Sequence, residues 1–430
     1  MNRRTLLKLI ALNSITFPFS VQAKNSEFST THKRLILIEL KGGNDGLNTV
    51  IPYADPLYYK LRPKIAIQKE HVLHINESIG FHPSMKAMKN IFEKNELAII
   101  QGIGYPKPNR SHFRSIAIWD TASNSQEYLD NGWLNTLTLT QDINLLRGVV
   151  LGGEYGPLSG QTKGIIKLKN IKGFVQQSRQ IKGRISLTSN NDALIHILKT
   201  ELEIRKSANV LRKSLVEEDL AFPFKKSSFG KQMRTTTQLI NSGTITPFFK
   251  VSLDSFDTHT NQAKKHANLL KELSEGISTM RKNLIASGEW DNTVIMTYSE
   301  FGRRAAENAN KGTDHGTAAP HFVLGGKVQG GIYGEHPSLK SLDTNHDLIY
   351  KTDFRSLYKS IANDWFKVSS KLLQPFSPIE GLKFNAKREY ISQSKPIKQN
   401  IKKSPVPNKD TKDNRSKDKQ SSSIVNYLLQ

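Results

Sequence analysis

An α/β fold with a mostly parallel central sheet and helices on both faces is what this sequence predicts, and three observations carry the expectation. Apolar runs of strand length recur along the chain, helical stretches with one apolar face separate them, and the runs end in loops that carry Gly, Asp, Glu or His. Buried parallel strands read as continuous apolar runs, and joining them takes crossover connections that are usually helical. With 430 residues, less two terminal segments described below, the length fits a single domain over about residues 33–385.

The chain opens with Met1-Asn2-Arg3-Arg4-Thr5-Leu6-Leu7-Lys8, runs apolar to about Phe19, and reaches Val21-Gln22-Ala23. A basic start, an apolar stretch shorter than the roughly 20 residues of a membrane helix, and a small-residue end read as a signal peptide over 1–23. The arginine pair followed by Leu-Leu-Lys points to the twin-arginine route and its export machinery. An ordinary secretory signal with two chance basic residues is the alternative. Either route puts the mature chain in the periplasm or outside the cell. No later segment reaches membrane-spanning length, so no integral membrane segment is expected in the mature protein.

Leu35-Ile36-Leu37-Ile38-Glu39-Leu40 is the first expected strand, and it runs into the glycine-rich loop Lys41-Gly42-Gly43-Asn44-Asp45-Gly46-Leu47-Asn48. Loops at the carboxyl ends of strands are where open α/β sheets place ligands, which makes Asp45 the first candidate. A helix opening at Pro83-Ser84-Met85, with Met85, Met88, Ile91 and Phe92 at helical spacing, leads to a second strand at Leu97-Ala98-Ile99-Ile100. The loop after it reaches Arg110-Ser111-His112-Phe113 at a helix start. Ser111 has two readings there, a chemical one and the commoner use of such a serine as a helix cap.

The stretch from about 125 to 245 is less informative, with Gly152-Gly153, a strand-like Gly164–Leu168 and a polar helical region from about Asn190 to Leu215. It is read as an insertion or cap region. Regular alternation returns at Pro247–Leu253, a strand that ends in Asp254-Ser255-Phe256-Asp257-Thr258-His259. A helix over about 261–286 shows Leu269, Leu270, Leu273, Ile277 and Met280 on one face. Thr293–Tyr298 is a further strand that ends in Ser299-Glu300-Phe301-Gly302-Arg303, and Asp314-His315-Gly316 precedes a last apolar run, His321–Gly326. The lysine-rich segment 387–430 is expected to be disordered.

The formal charge is +24, but 1–24 holds four basic residues and no acid, and 387–430 holds nine Lys and two Arg against four acids. The body between keeps +13, a basic field that suits an anionic small-molecule or polymer ester substrate or an anionic envelope surface. No nucleic-acid-binding motif accompanies the charge, so no specific nucleic-acid partner is expected. There are no cysteines, which rules out disulfides and thiolate metal sites.

Asp45, Ser111, Asp257, His259, Glu300, Asp314 and His315 all fall beside strand ends. Carboxylates and imidazoles without thiolates suit divalent Zn, Mn, Mg or Ca, and bound ions of this kind serve phosphoryl and sulfuryl transfer. Asp257 and His259, two residues apart on an extended segment, share a face and can hold one ion together. His112 and His321 are read as structural; His32, His71, His74, His82, His196, His266, His336 and His346 receive no role.

The five ordered motifs Gly42–Asn48, Arg110–Phe113, Asp257-Thr258-His259, Ser299–Arg303 and Asp314–Gly316 resemble the exported bacterial family known as domain of unknown function 1501, over about residues 33–365. That family in turn resembles the alkaline-phosphatase superfamily, including its sulfatases, and the resemblance implies an alkaline-phosphatase-like fold and a metal-dependent phosphate or sulfate ester hydrolase. By it Asp45 matches a metal-binding aspartate, Ser111 the metal-activated nucleophile, Asp257 and His259 the ligands of another ion, Glu300 the acid of an Asp-His pair, and His315 the last ligand. Phe301 stands where the pair has its histidine, and phenylalanine cannot ligate, so the resemblance leaves the site beside Ser111 incomplete, completed by another ligand such as Asp314, or empty. Arg110 and Arg303 are candidates to bind an anionic group, with surface salt bridging as the equal alternative. The rival implication is a cell-envelope binding or assembly protein that kept the fold and lost turnover.

Overall fold

Arg34–Leu40 forms a strand, β1, in which every residue is buried: its five apolar residues as a central strand requires, and Arg34 and Glu39 as ion pairs with Glu289 and Lys250. The computed structural model describes residues 32–137, 146–160, 164–179, 192–213 and 220–390. The expected signal peptide, and all but the first four residues of the expected tail, lie outside them. In chain order the strands and helices after β1 are β2 (Val50–Ile51), α1 (Pro56–Leu61), β3 (Leu73–His74), β4 (Gly80–Phe81), α2 (Lys86–Glu93), β5 (Leu97–Gly104) and α3 (His112–Thr121). Then come β6 (Gly148–Val150), β7 (Ile165–Lys167), α4 (Ile171–Ser178), α5 (Asp192–Lys213), α6 (Ser228–Asn241), β8 (Phe248–Leu253) and α7 (Gln262–Ala286). The last are β9 (Thr293–Tyr298), β10 (Ala319–Gly325), β11 (Gly331–Tyr333), β12 (Thr352–Asp353) and α8 (Phe354–Ser360), which continues as a π-helical turn over Ile361–Phe366.

Among the described residues the main sheet has the order β11-β5-β10-β9-β1-β8-β6-β7, with β12 also paired to β5, and β2, β4 and β3 make a small second sheet. All neighbouring strands of the main sheet are parallel except at β10, which runs antiparallel to both β5 and β9. The expected α/β class and mostly parallel sheet are therefore present. The exception at β10 matters for the site. A reversed strand begins where its neighbours end, so Asp314 and His315, which precede β10, reach the same sheet edge as the residues that follow β1, β5, β8 and β9.

Alternation along the strands divides the core in two. Ile36, Ile38 and Leu40 of β1, with Val251 and Ile295, face α2, α6 and α7 through Met88, Leu239 and Leu273. Leu35 and Leu37, with Val294 and Met296, face α3 and α8 through Ile118, Trp119, Leu357 and Tyr358. The long helix α7 buries Leu270, Leu273, Ile277, Met280 and Leu284 at helical spacing, each such side chain contributing about 1.5–3 kcal/mol.

The 125–245 stretch, expected as an insertion or cap region, extends the sheet edge with β6 and β7, and its α4 and α6 put Val175 and Met233 into the first of these cores. A buried ion pair, Lys250 Nζ to Glu39 Oε2 at 2.6 Å, ties β8 to β1 beneath Gly153, where a Cβ would come within 2.9 Å of both charged atoms. No helix of the described residues is long and apolar enough to cross a membrane.

Candidate metal centre

The glycine-rich loop after β1 makes its turn with Gly42 at φ +116° and Gly43 at φ +77°. A Cβ on Gly42 would collide with the backbone nitrogen of Asp257, and one on Gly43 would meet the Phe301 ring at 2.5 Å. Those glycines let the β1 loop lie directly against the β8 and β9 loops, and the site forms where the three meet the segments before α3 and β10.

Asp257 is its centre. Its Oδ1 lies 2.9 Å from His259 Nε2 and 3.3 Å from His315 Nε2, and its Oδ2 lies 3.6 Å from His112 Nε2. The two Nε2 atoms of His259 and His315 are only 3.0 Å apart. Ligand atoms about 2.1 Å from one tetrahedral ion stand about 3.4 Å from each other, the scale of these separations. His112, Asp257 and His315 together have the spacing of a metal-holding group.

What the other nitrogen of each ring touches decides the chemistry. His259 Nδ1 lies 2.9 Å from Asp314 Oδ1, His112 Nδ1 lies 2.8 Å from Glu300 Oε1, and His315 Nδ1 lies 2.9 Å from the carbonyl oxygen of Arg110. The oxygen behind each ring only accepts, so a hydrogen on each Nδ1 satisfies it, and in that tautomer each Nε2 presents a lone pair. In that tautomer the two bare Nε2 atoms, 3.0 Å apart, repel, and a cation or a shared proton between them relieves the repulsion. Imidazoles oriented by oxygen acceptors are the usual setting of histidine metal ligands, and this donor set fits a divalent ion such as zinc or manganese.

The expected ligands thus take different places. Asp257, His259 and His315 come together at the centre. Asp314 and Glu300 stand one step behind, each holding an imidazole. His112, read from the sequence as structural, instead brings its ring to Asp257; the spacing Arg110-Ser111-His112 gave no sign of it, because only the fold sets Glu300 beside that ring. Phe301, 2% exposed, packs against His112 and His315 with ring centroids 4.9 and 4.6 Å away, forming an apolar floor under both.

Asp45 is elsewhere. Its Oδ2 pairs with Arg62 Nη1 at 2.6 Å, in complete burial, and also accepts from Gln262 Nε2. Arg62 continues to the carbonyls of Arg304 and Ala305, and Gln262 Oε1 accepts from Thr258 and Thr313. This buried network fastens together the loops that carry the central residues; neither Arg62 nor Gln262 was singled out by sequence reasoning. Burial pushes the Asp45 carboxyl up, but Arg62 outweighs it and holds the group below the ordinary carboxylate range.

Arg303 is a correction of the same kind. Its guanidinium is wholly buried and donates to the carbonyls of Gly43, Thr313 and Gly42 and, at 2.6 Å, to Asp257 Oδ1. It therefore anchors Asp257 and is not placed to meet a substrate. Burial raises the Asp257 carboxyl, and the bond from Arg303 more than reverses this. The neighbouring Arg304 instead lines an open cleft of about 410 Å³ together with Arg110, His259, Asp314 and His315. Ser111 is exposed at the N-cap of α3, but its side chain makes no capping hydrogen bond; its backbone nitrogen donates to Asn109 Oδ1 at 2.8 Å. Its chain neighbours Arg110 and His112 both touch the centre.

The model of the family described as "Protein of unknown function (DUF1501)" matches residues 161–374, in agreement with the family resemblance carried by the motifs. No curated protein matches the sequence. Among solved structures the chain is similar to Ps i-CgsB, crystallised in complex with k-i-k-neocarrahexaose, at 10% identity and TM-score 0.39 over 81% of this chain and 75% of that one. It is also similar to the C-terminal periplasmic domain of EcEptC from Escherichia coli, at 9% identity and TM-score 0.36 over 79% and 83% of the two chains. A protein in the alkaline phosphatase superfamily from Vibrio parahaemolyticus is similar at 11% identity and TM-score 0.29, over 71% and 62%.

Proposed function

We propose that this chain is an exported, metal-dependent hydrolase of phosphate or sulfate esters, with Ser111 as nucleophile. The observation that carries the reading is the convergence of three Nε2 atoms on the Asp257 carboxylate, each imidazole oriented from behind by an oxygen. His112, Asp257, His259 and His315 would hold the ion. Bound there, a divalent cation supplies electrophilic stabilisation and makes a nearby hydroxyl easier to deprotonate.

The rest of the chemistry belongs to the chain. Asp314 and Glu300 keep the imidazoles in the ligating tautomer, and Arg303 fixes Asp257. Ser111 Oγ, uncommitted to the helix it begins, forms a bond to phosphorus or sulfur as the ester oxygen leaves. The serine's proton ends on the departing alcohol, and water then cleaves the serine ester and restores the hydroxyl. Arg110 and Arg304 face the cleft where the anionic group would lie. Export outside the cytoplasm is supported by the arginine pair and apolar run at the start of the chain.

A second reading, a cell-envelope binding or assembly protein without turnover, is favoured by one observation: Asp45, matched to a metal ligand beside the serine, is spent on Arg62. Metal analysis of protein exported by its host, with hydrolysis assays on aryl phosphates and aryl sulfates, separates the two. The hydrolase reading expects bound metal and turnover lost in Ser111→Ala with metal content unchanged. Metal without turnover selects the binding protein, and absence of bound metal after reconstitution overturns the metal centre.

A further inference from the structure

We propose that Asp347 is a positioning residue that presents Arg110 and Arg304 as a two-guanidinium fork for a tetrahedral oxyanion on the rim of the metal centre. The proposal rests on the hydrolase reading for the ester that bears the oxyanion, while the fork itself stands on the geometry. Asp347 Oδ2 lies 3.2 Å from Arg110 Nη1, and Asp347 Oδ1 lies 3.6 Å from Arg304 Nε. The carboxylate side chain is 1% exposed, whereas the two arginine side chains are 34% and 37% exposed. One acid is thus buried between two bases that both reach the cleft shared with His259, Asp314 and His315.

The acid is built into its place. Hydrogen bonds join Asp343 and Asp347 in both directions, the backbone nitrogen of Asp347 donating to the Asp343 side-chain Oδ1 at 2.8 Å and that of Asp343 to the Asp347 carbonyl at 3.0 Å. Leu342 and Leu348 form a bridge beside them, and Thr317 Oγ1 donates to the Leu348 carbonyl. Asp347 Oδ1 and Arg304 Nε are both buried without a hydrogen-bond partner, facing each other just beyond bonding reach. A buried polar pair left slack is costly as a purely structural feature, and it becomes useful if an incoming anion draws the guanidinium into line. Among the described residues, Arg110 Nε and Nη2 and both Nη atoms of Arg304 make no hydrogen bond, so four donor nitrogens remain for a ligand.

Arginine suits this task because its planar fork matches the oxygens of phosphate or sulfate two at a time. Long side chains lose rotamer freedom when they grip a ligand, and a fixed acid behind them removes much of that loss in advance. Phosphate and sulfate esters present the same tetrahedral oxygens, so inorganic phosphate and inorganic sulfate are the probes.

The test is calorimetric titration of both anions into the full chain, as wild type, Arg304→Gln, Asp347→Asn and the double variant, with metal content measured in each. The fork expects either anion to bind the wild type. It expects Arg304→Gln and Asp347→Asn each to weaken binding about tenfold, and the double variant to be weaker than either single variant but by less than the product of the two effects, because Asp347 then acts through Arg110 alone. The Asp347→Asn result is the decisive one, since removing a negative charge would tighten binding at a site governed by charge alone. Tighter or unchanged binding in Asp347→Asn overturns the proposal, as does absence of anion binding in the wild type. Should Asp347→Asn fail to fold, Arg110→Gln and Arg304→Gln, both at half-exposed positions, must still weaken binding. Failure of the hydrolase reading would appear as lack of turnover or metal with anion binding intact, which separates the two outcomes.

Discussion

His321, inside β10, and His259, in the loop after β8, are the same residue type, yet only His259 turns a ring nitrogen toward the site. In His259 a carboxylate behind the ring takes Nδ1 and turns Nε2 toward Asp257, whereas His321 lies 1% exposed under Trp119 with Nδ1 unpartnered. Asp314 therefore acts through His259, and the consequence is measurable. Asp314→Ala, at a half-exposed position, is expected to lower affinity for zinc or manganese about 10–100-fold with the fold intact, read by competition against a chromophoric chelator. Unchanged affinity would show that Asp314 does not orient the ring. Residue types were legible in the sequence at this scale, and Asp257, His259 and His315 were chosen on them. Whether a carboxylate ligates or stands behind a ligand depends on what faces it, so residue type alone points to Glu300 and Asp314 as ligands and passes over His112.

Among elements, β10 decides most. Its reversal brings Asp314 and His315 to the working edge and leaves His321 inside the sheet, where burial pushes its pKa down to about 3. With the folded value below the unfolded one near 6.5, the folded state binds fewer protons. Its stabilising effect is then complete above about pH 6.5 and lost as pH falls toward 3. His321→Phe is expected to flatten the fall in stability between pH 6 and pH 4.5 by about 1.4 kcal/mol per pH unit, measured by urea unfolding at several pH values. An identical slope in the variant would mean that His321 does not titrate on unfolding. The strands and the long helix α7 were legible because period-2 and period-3.6 patterns are local properties of the chain. The direction of β10 was not, since an apolar run reads alike in both directions.

For the whole molecule, the candidate centre joins segments from 112 to 315 that approach only in the folded chain. A ligand that binds the folded state alone stabilises it, by about 2.7 kcal/mol at a hundred times its dissociation constant. Removing divalent ions with EDTA should lower the melting temperature by a few degrees, and zinc or manganese should restore it, as followed by circular dichroism. A melting curve indifferent to EDTA in a metal-loaded sample would argue against a site that ties these loops together.

The sequence by itself determined the α/β class, the positions of the principal strands, the loops that carry the candidate site and the absence of cysteine ligands. Each of these follows from covalent spacing and residue type, which act over a few neighbouring residues. Only the tertiary structure decided that Arg62 would claim Asp45, that Arg303 would be buried behind Asp257 while Arg304 faced the cleft, and that Asp347 would sit between two arginines. Those choices depend on which distant groups share a small, poorly solvated space, where an ion pair or hydrogen bond formed by one partner removes it from another.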